Sequence, residues 1–181
     1  EIGSGLVGSE MCIRDRVYGA LCVALSFMLS YIKLFSLPMG GSLTLCSMLP
    51  IAAYACAFGP LYGFTAGLAF GVLQLIQDFY VIHWAQLLLD YFFAFACYGI
   101  AAYFPNKLTL GIAVAGLCRM LCSTLSGGIF FADSAVDAGW SNAWLYSLAY
   151  NGSTIGAETV LCVLVSLLPP VKKVLGLMKS E

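Results

Sequence analysis

The sequence predicts an all-α integral membrane protein, a bundle of six transmembrane helices. The first observation is composition: 61% of the 181 residues are hydrophobic and 9% are charged, whereas a soluble domain is about half apolar and about one quarter charged. So much apolar side chain cannot be hidden in one small core, and it must face lipid. The second observation is the length of the apolar runs, which are about 17–25 residues, enough to cross a bilayer as helices.

The six predicted spans are separated by short stretches rich in Pro, Gly, Asn and Asp, which punctuate helices. The spans are residues 17–36, 43–58, 60–79, 84–104, 107–131 and 142–168. The breaks are residues 38–41, 59–60, 78–83, 105–107, 133–142 and 169–170. All six spans fit in one bundle, so residues 17–170 are predicted to form one membrane domain and residues 171–181 a cytoplasmic tail.

The first residues are set aside as non-native sequence. Residues 6–16, "LVGSEMCIRDR", correspond to one reading frame of a common transposon-type sequencing adapter. We interpret residues 1–16 as an artefact of cloning or assembly and exclude them from fold reasoning. Six acidic and six basic residues then remain, so the rest is formally neutral and we expect no nucleic-acid partner.

The charges in the loops predict the orientation. Basic residues lie on the side of the chain termini, namely Lys107, Lys172, Lys173 and Lys179. Acidic residues lie on the other side, namely Asp78, Asp133 and Asp137, with Lys33 as the exception. Because basic loops stay inside, both termini are predicted to be cytoplasmic.

Two patterns of small residues predict close helix packing. Glycine recurs at positions 59, 63, 67 and 71, and such a stripe lets another backbone approach closely. Ala20 and Ala24 have the same spacing in the first span. Internal packing is the usual explanation for both, and docking against a separate membrane subunit is the alternative.

Four polar residues within spans indicate function, because polar groups in lipid are costly. They are Asp90, Arg119, Asn151 and Glu158. Structural roles are the alternatives: Asp90 and Arg119 could neutralise each other, and Asn151 and Glu158 could form interhelical hydrogen bonds.

Helical spacing predicts which side chains share a face. On the fifth span the shared face carries Ser123, Gly127 and Phe131, and on the sixth it carries Ser147, Asn151, Thr154 and Glu158, with Tyr146 beside it. Polar groups among apolar and aromatic walls are typical of a small-ligand pocket, here in the outer half of the membrane. Asp90, next to Tyr91 and near ring faces such as Trp140, suits a flat cation. The tryptophans could also be interfacial anchors.

The sequence lacks the motifs that several classes of activity require. His83 is the single histidine and the eight cysteines form no CxxC pair, so no metal site is expected. No GxxxxGK[ST] phosphate loop occurs, so the chain is not expected to hydrolyse ATP. We expect neither an enzyme nor a resident cofactor.

Four segments carry a family resemblance. "LLLDYFFAF" (residues 87–95), "RMLCSTLSGGIFFAD" (119–133), "WLYSLAYNGS" (144–153) and "GGSLTLCSMLP" (40–50) resemble the thiamine-specific substrate-binding component of energy-coupling factor transporters. The resemblance runs in order from about residue 17 to residue 170.

This resemblance implies a six-helix vitamin-binding subunit in a prokaryotic cell membrane, working with a transmembrane coupling protein and two ATPases that use the ATP. By motif match, Asp90 takes the place of an acidic residue that pairs with thiamine. Tyr91, Gly127, Tyr146 and Asn151 match ligand-contacting positions. The pair Ala20 and Ala24 matches a motif that contacts the coupling protein.

The chain departs from the family in four places, one of which is the stretch Phe58–Pro60, where the family has a basic pair after the second helix. Ser123 and Phe131 stand where the family often has His and Trp, and Gly41 stands where some members have Trp. Trp140, Trp144 or Tyr150 is expected to compensate in the pocket. Loss of His and Trp weakens stacking, which bears on the affinity and leaves open another vitamin or a thiamine precursor as ligand. A separate alternative is a different class of protein, a membrane enzyme or a stand-alone secondary transporter.

Overall fold

The structure is a computed structural model that describes residues 2–37 and 41–180, and it is mostly helical, as predicted. In chain order the elements are α1 (Ile2–Ser30), β1 (Lys33–Ser36), β2 (Ser42–Thr44), α2 (Leu49–Phe58), α3 (Pro60–Gln77), α4 (Trp84–Tyr103), α5 (Leu108–Phe130), α6 (Ala132–Asp137), α7 (Ala143–Ser166) and α8 (Pro169–Ser180).

Three helices of the described residues, α4, α5 and α7, are long and apolar enough to cross a membrane. Helices α1 and α3 have 29 and 18 residues, while α2 has only 10. At about 1.5 Å per residue, α2 is roughly 15 Å long, half the thickness of a bilayer core. The count of six spans therefore remains a prediction.

The predicted start of the second span, at residue 43, is wrong. Residues Ser42–Thr44 form strand β2, and the helix begins at Leu49. Pro50 explains this start, because proline lacks the backbone N–H and is tolerated in the first turn of a helix rather than in its interior.

The predicted end of the first span, at residue 36, is also wrong. Helix α1 ends at Ser30, and β1 pairs with β2 as an antiparallel hairpin in which Lys33 faces Thr44 and Ser36 faces Ser42. The Ser30 hydroxyl lies 2.7 Å from the Phe27 carbonyl, a local bond that competes with continuation of the helix. The predicted break at residues 38–41 lies, except for Gly41, outside the described residues.

Helix α1 runs without interruption from Ile2 through the segment that we interpret as non-native. The hydroxyl of Tyr54 donates to the Asp15 carbonyl at 2.9 Å, so α2 contacts this part of α1. Glu1 lies outside the described residues, and the interpretation of residues 1–16 stays a prediction.

The glycine stripe packs α3 against its neighbours, which confirms internal packing for most of it. A Cβ atom at Gly63 would overlap Ala55 of α2, one at Gly67 would overlap the Phe95 carbonyl oxygen, and one at Gly71 would overlap the Tyr91 carbonyl oxygen. Gly59 is different: its φ of 103° joins α2 to α3, a conformation that favours glycine.

The other small-residue pair is not packed inside the bundle. Ala20 and Ala24 are exposed on α1 and line a shallow apolar groove between α1 and α3. The packing explanation therefore does not hold for this pair.

The core forms where α2, α3, α4, α5 and α7 meet. Ile51, Phe70, Tyr98, Ile112 and Cys162 are fully buried there. Helix α8, part of the predicted tail, packs the apolar residues Val171, Leu175 and Met178 against this core, so most of the tail is a helix docked on the bundle.

Two helices contain irregular turns. In α4, residues Leu88–Phe93 form a π-helical turn and residues Cys97–Tyr103 a 3₁₀ segment. In α7, residues Gly152–Gly156 are π-helical. Such turns are frequent at functional sites, and here they contain Asp90 and directly follow Asn151.

Candidate functional site

A cavity opens at one end of the bundle, where α3 and α5 end and where α4 and α7 begin, beside the β-hairpin. Its volume is about 170 Å³, and one water needs about 10–15 Å³ on such a measure, so it can hold a small ligand. Seven of the eight predicted site residues line it, namely Asp90, Tyr91, Ser123, Gly127, Phe131, Tyr146 and Asn151.

The carboxylate of Asp90 is held in place by neutral donors. Its Oδ2 accepts hydrogen bonds from Gln86 Nε2 at 2.9 Å and from Ser126 Oγ at 2.8 Å, and the Ser123 hydroxyl is also a hydrogen-bond partner. In the part of the chain that the structure describes, Asp90 makes no ion pair within 4 Å. A half-buried carboxylate that forms no ion pair with the described residues favours a cation in the cavity.

The alternative of an Asp90–Arg119 pair is wrong, because Arg119 is paired with Glu158. Arg119 Nη1 lies 3.2 Å from Glu158 Oε2 and also donates to the Tyr98 hydroxyl. The guanidinium stacks over the Phe95 ring at 4.5 Å from its centroid. Because both Arg119 and Glu158 line the cavity, this pair forms its neutral floor.

The second oxygen of Glu158 anchors the chain that follows the hairpin. Glu158 Oε1 accepts hydrogen bonds from Thr44 Oγ1 at 2.6 Å, Ser47 Oγ at 2.7 Å and Ser47 N at 3.0 Å. The Tyr150 hydroxyl accepts another from Gly41 N at 2.8 Å. The hairpin is therefore tied to α7 at both its ends by polar groups that line the cavity.

The predicted face of α7 does point into the cavity. Asn151 is buried, and its Nδ2 donates to the Ser147 carbonyl oxygen at 3.0 Å. This bond lies within one helix, so the alternative of an interhelical role for Asn151 is not seen among its described hydrogen bonds. Gly127 serves packing as well, because a Cβ there would overlap Ser147 Oγ.

Aromatic rings form one side of the cavity, but Trp140 is not among its lining residues. Phe131 stacks on Tyr80 with 5.9 Å between ring centroids. Trp140 is 43% exposed and packs edge-on against Tyr146, 6.0 Å away. Trp84 is 70% exposed, which fits an interfacial anchor rather than a pocket wall.

Several lining residues were absent from the predicted site, namely Thr44, Ser47, Gln74, Asp78, Gln86 and Tyr150. Gln86 and Tyr150 had usable signals: Gln86 precedes Asp90 by one helical turn, and Tyr150 is one of the aromatic residues expected to compensate for the missing pocket rings. Gln74 Oε1 is buried and has no hydrogen-bond partner within residues 2–37 and 41–180. Asp78, at the rim, is paired with Lys33 at 2.8 Å.

The arrangement can hold a small cation by charge, ring contacts and amide groups. Among the described residues no group of three His, Cys, Asp or Glu side chains could hold a metal ion.

Comparisons with known proteins identify the family of this chain. The family profile "Thiamine transporter protein (Thia_YuaJ)" matches residues 16–177. The thiamine transporter ThiT of Bacillus subtilis (strain 168) is 31% identical over 147 residues, which are 72% of this chain and 75% of that protein.

A solved structure of ThiT from Listeria monocytogenes is similar with a TM-score of 0.76 and 19% identity, and the match covers 94% of this chain and 96% of that chain. At this identity the likeness shows the fold alone. Because the family profile spans nearly the whole chain, the protein belongs to the thiamine transporter protein family.

Proposed function

We propose that this chain is the high-affinity thiamine-binding subunit of an ATP-driven energy-coupling factor importer. The single observation that carries the proposal is the carboxylate of Asp90, which lines the cavity and whose hydrogen-bond donors among the described residues are neutral. Thiamine is a permanent cation with an aminopyrimidine ring, and its charge would neutralise this carboxylate.

The other lining groups complete the recognition. Tyr91, Phe131 and Tyr146 supply ring faces to a flat cation. Asn151 can donate and accept, which suits the edge of a heterocycle. The neutral Arg119–Glu158 floor leaves Asp90 as the charge that selects for a cation. The chain thus recognises its ligand and performs no chemistry of its own.

Energy for uptake comes from other subunits in this proposal. The exposed pair Ala20 and Ala24, in its apolar groove on α1, forms part of the contact with a transmembrane coupling protein, since small residues let helices approach closely in lipid. Two ATPases bind that protein on the cytoplasmic side. The chain crosses the cell membrane several times, with both termini in the cytoplasm.

A titration of the purified chain with thiamine, followed by tryptophan fluorescence, tests ligand identity, because Trp140 contacts a cavity residue. We expect saturable binding with a Kd below about 1 µM, and at least 100-fold weaker binding of neutral vitamins. Tighter binding of another vitamin, or no binding of thiamine, would overturn the assignment.

Uptake of labelled thiamine into vesicles tests coupling. We expect uptake only when the coupling protein and both ATPases are present with ATP. Uptake by this chain alone would identify a stand-alone secondary transporter instead.

A further inference from the structure

A basic groove lies at the end of the bundle opposite the cavity. It is bounded by the turn before α5, the last turns of α7 and helix α8. Three of its lining residues are Lys107, Lys172 and Lys179, and among the described residues none of those that line it is acidic. All three lysines are exposed, so their charges are available to a ligand.

The position of one lysine is restrained by the protein. Lys179 Nζ donates to the carbonyl oxygen of Pro105, which holds the end of α8 across the turn between α4 and α5. This bond brings the charge of α8 to the side of Lys107. An ammonium group has three donors, so two remain for another acceptor.

The groove changes from basic to apolar along the helices. Beyond Lys107 its wall is made by Leu110 and Ala113 of α5 and by Val163 of α7. Ala113 lies six residues after Lys107, which corresponds to roughly 9 Å along the helix axis at 1.5 Å per residue. Leu110 is 44% exposed, so the apolar part is open to lipid.

We propose that this groove binds an anionic phospholipid, with the phosphate between the lysines and the start of an acyl chain against Leu110, Ala113 and Val163. Basic pockets between transmembrane helices recognise anionic headgroups in this way. A free phosphate would use the lysines alone, and only a phospholipid uses both parts of the groove. The site is independent of the vitamin cavity.

The experiment compares lipids bound to the purified full chain by native mass spectrometry in mixed micelles of phosphatidylglycerol and phosphatidylcholine. We expect one phosphatidylglycerol per chain, preferred about tenfold or more over phosphatidylcholine. Each lysine near an anionic headgroup contributes about a fivefold change in affinity. Lys172→Gln should therefore weaken phosphatidylglycerol about fivefold, and Lys107→Gln with Lys172→Gln about 25-fold.

Lys173→Gln is the matched control, because Lys173 is the next residue of α8, carries the same charge and does not line the groove. It should leave binding unchanged. Equal effects of Lys172→Gln and Lys173→Gln, or equal binding of both lipids, would overturn the proposal. These lysines are exposed, so unchanged thermal unfolding of the variants verifies that they fold.

Two further measurements distinguish a phospholipid from other occupants of the groove. Ala113→Phe fills the apolar part of the groove and keeps every lysine, so it should weaken the binding of phosphatidylglycerol at least fivefold. An unchanged affinity would contradict the acyl-chain contact. Competition with inorganic phosphate or an acidic peptide at equal concentration should not displace the lipid, and displacement by either would reject a phospholipid as the occupant.

Discussion

Replacement of Asp90 by asparagine tests the central interaction of the proposed site. The change keeps the size of the side chain and removes its negative charge. The two side-chain donors to Oδ2, Gln86 and Ser126, keep an oxygen to bond. The loss should therefore fall on the ligand rather than on the protein.

The expected loss of thiamine affinity follows from the negative charge that the substitution removes. A hydrogen bond to a charged group contributes about 1.5–3 kcal/mol, and each 1.4 kcal/mol is tenfold in affinity. The Kd for thiamine should rise about 10- to 140-fold. Isothermal titration of the purified variant measures this directly. The unfolding temperature should not fall, because the substitution removes a half-buried charge that has no ion pair among the described residues.

Asp78→Asn is the matched control for the charge. Asp78 also lines the cavity, but its carboxylate is partly exposed and paired with Lys33 at 2.8 Å. Exposed ion pairs contribute about 0–1 kcal/mol, so this variant should change Kd less than about fivefold. A Kd for Asp90→Asn within twofold of the unaltered chain, or equal losses in the two variants, would refute the reasoning.

Three further substitutions test the frame of the site. Glu158→Gln leaves Arg119 as an unpaired buried charge, which costs about 3–5 kcal/mol. The variant should therefore unfold at a lower temperature, while its affinity for thiamine falls less than that of Asp90→Asn. An unchanged unfolding temperature would contradict the buried pair. Tyr150→Phe removes the hydrogen bond to the hairpin, which contributes about 0.5–1.5 kcal/mol. Stopped-flow fluorescence should therefore show thiamine dissociating about 2- to 13-fold faster. An identical dissociation rate would mean that this contact does not hold the hairpin. Gly67→Ala should destabilise the bundle by about 1–3 kcal/mol through overlap with α4. Gly152→Ala should not, because there is open space around the added atom. Similar unfolding temperatures for the two variants would argue against the tight contact of α3 with α4.

Local patterns in the sequence were sufficient to predict which helical faces form the site. Helical spacing along α5 and α7 placed Ser123, Gly127 and Asn151 on faces that both line the cavity. Such a prediction succeeds because the period of a helix is set by its backbone, whatever packs around it. The position of Asp90 in an apolar run was sufficient to mark it as costly and hence informative.

Which polar groups pair was decided by the tertiary structure. Arg119 pairs with Glu158, 39 residues away, instead of with Asp90, and Glu158 bonds Thr44 across 114 residues. The hairpin was missed for the same reason, because its short strands are held by contacts with α7 that no local window contains. The sequence by itself determined that this chain faces lipid, which residues share each helical face, and where a cation would find a carboxylate. Only the packing of the helices decided which charges are neutralised within the protein, because that depends on which faces meet, and helical period carries no information about neighbours.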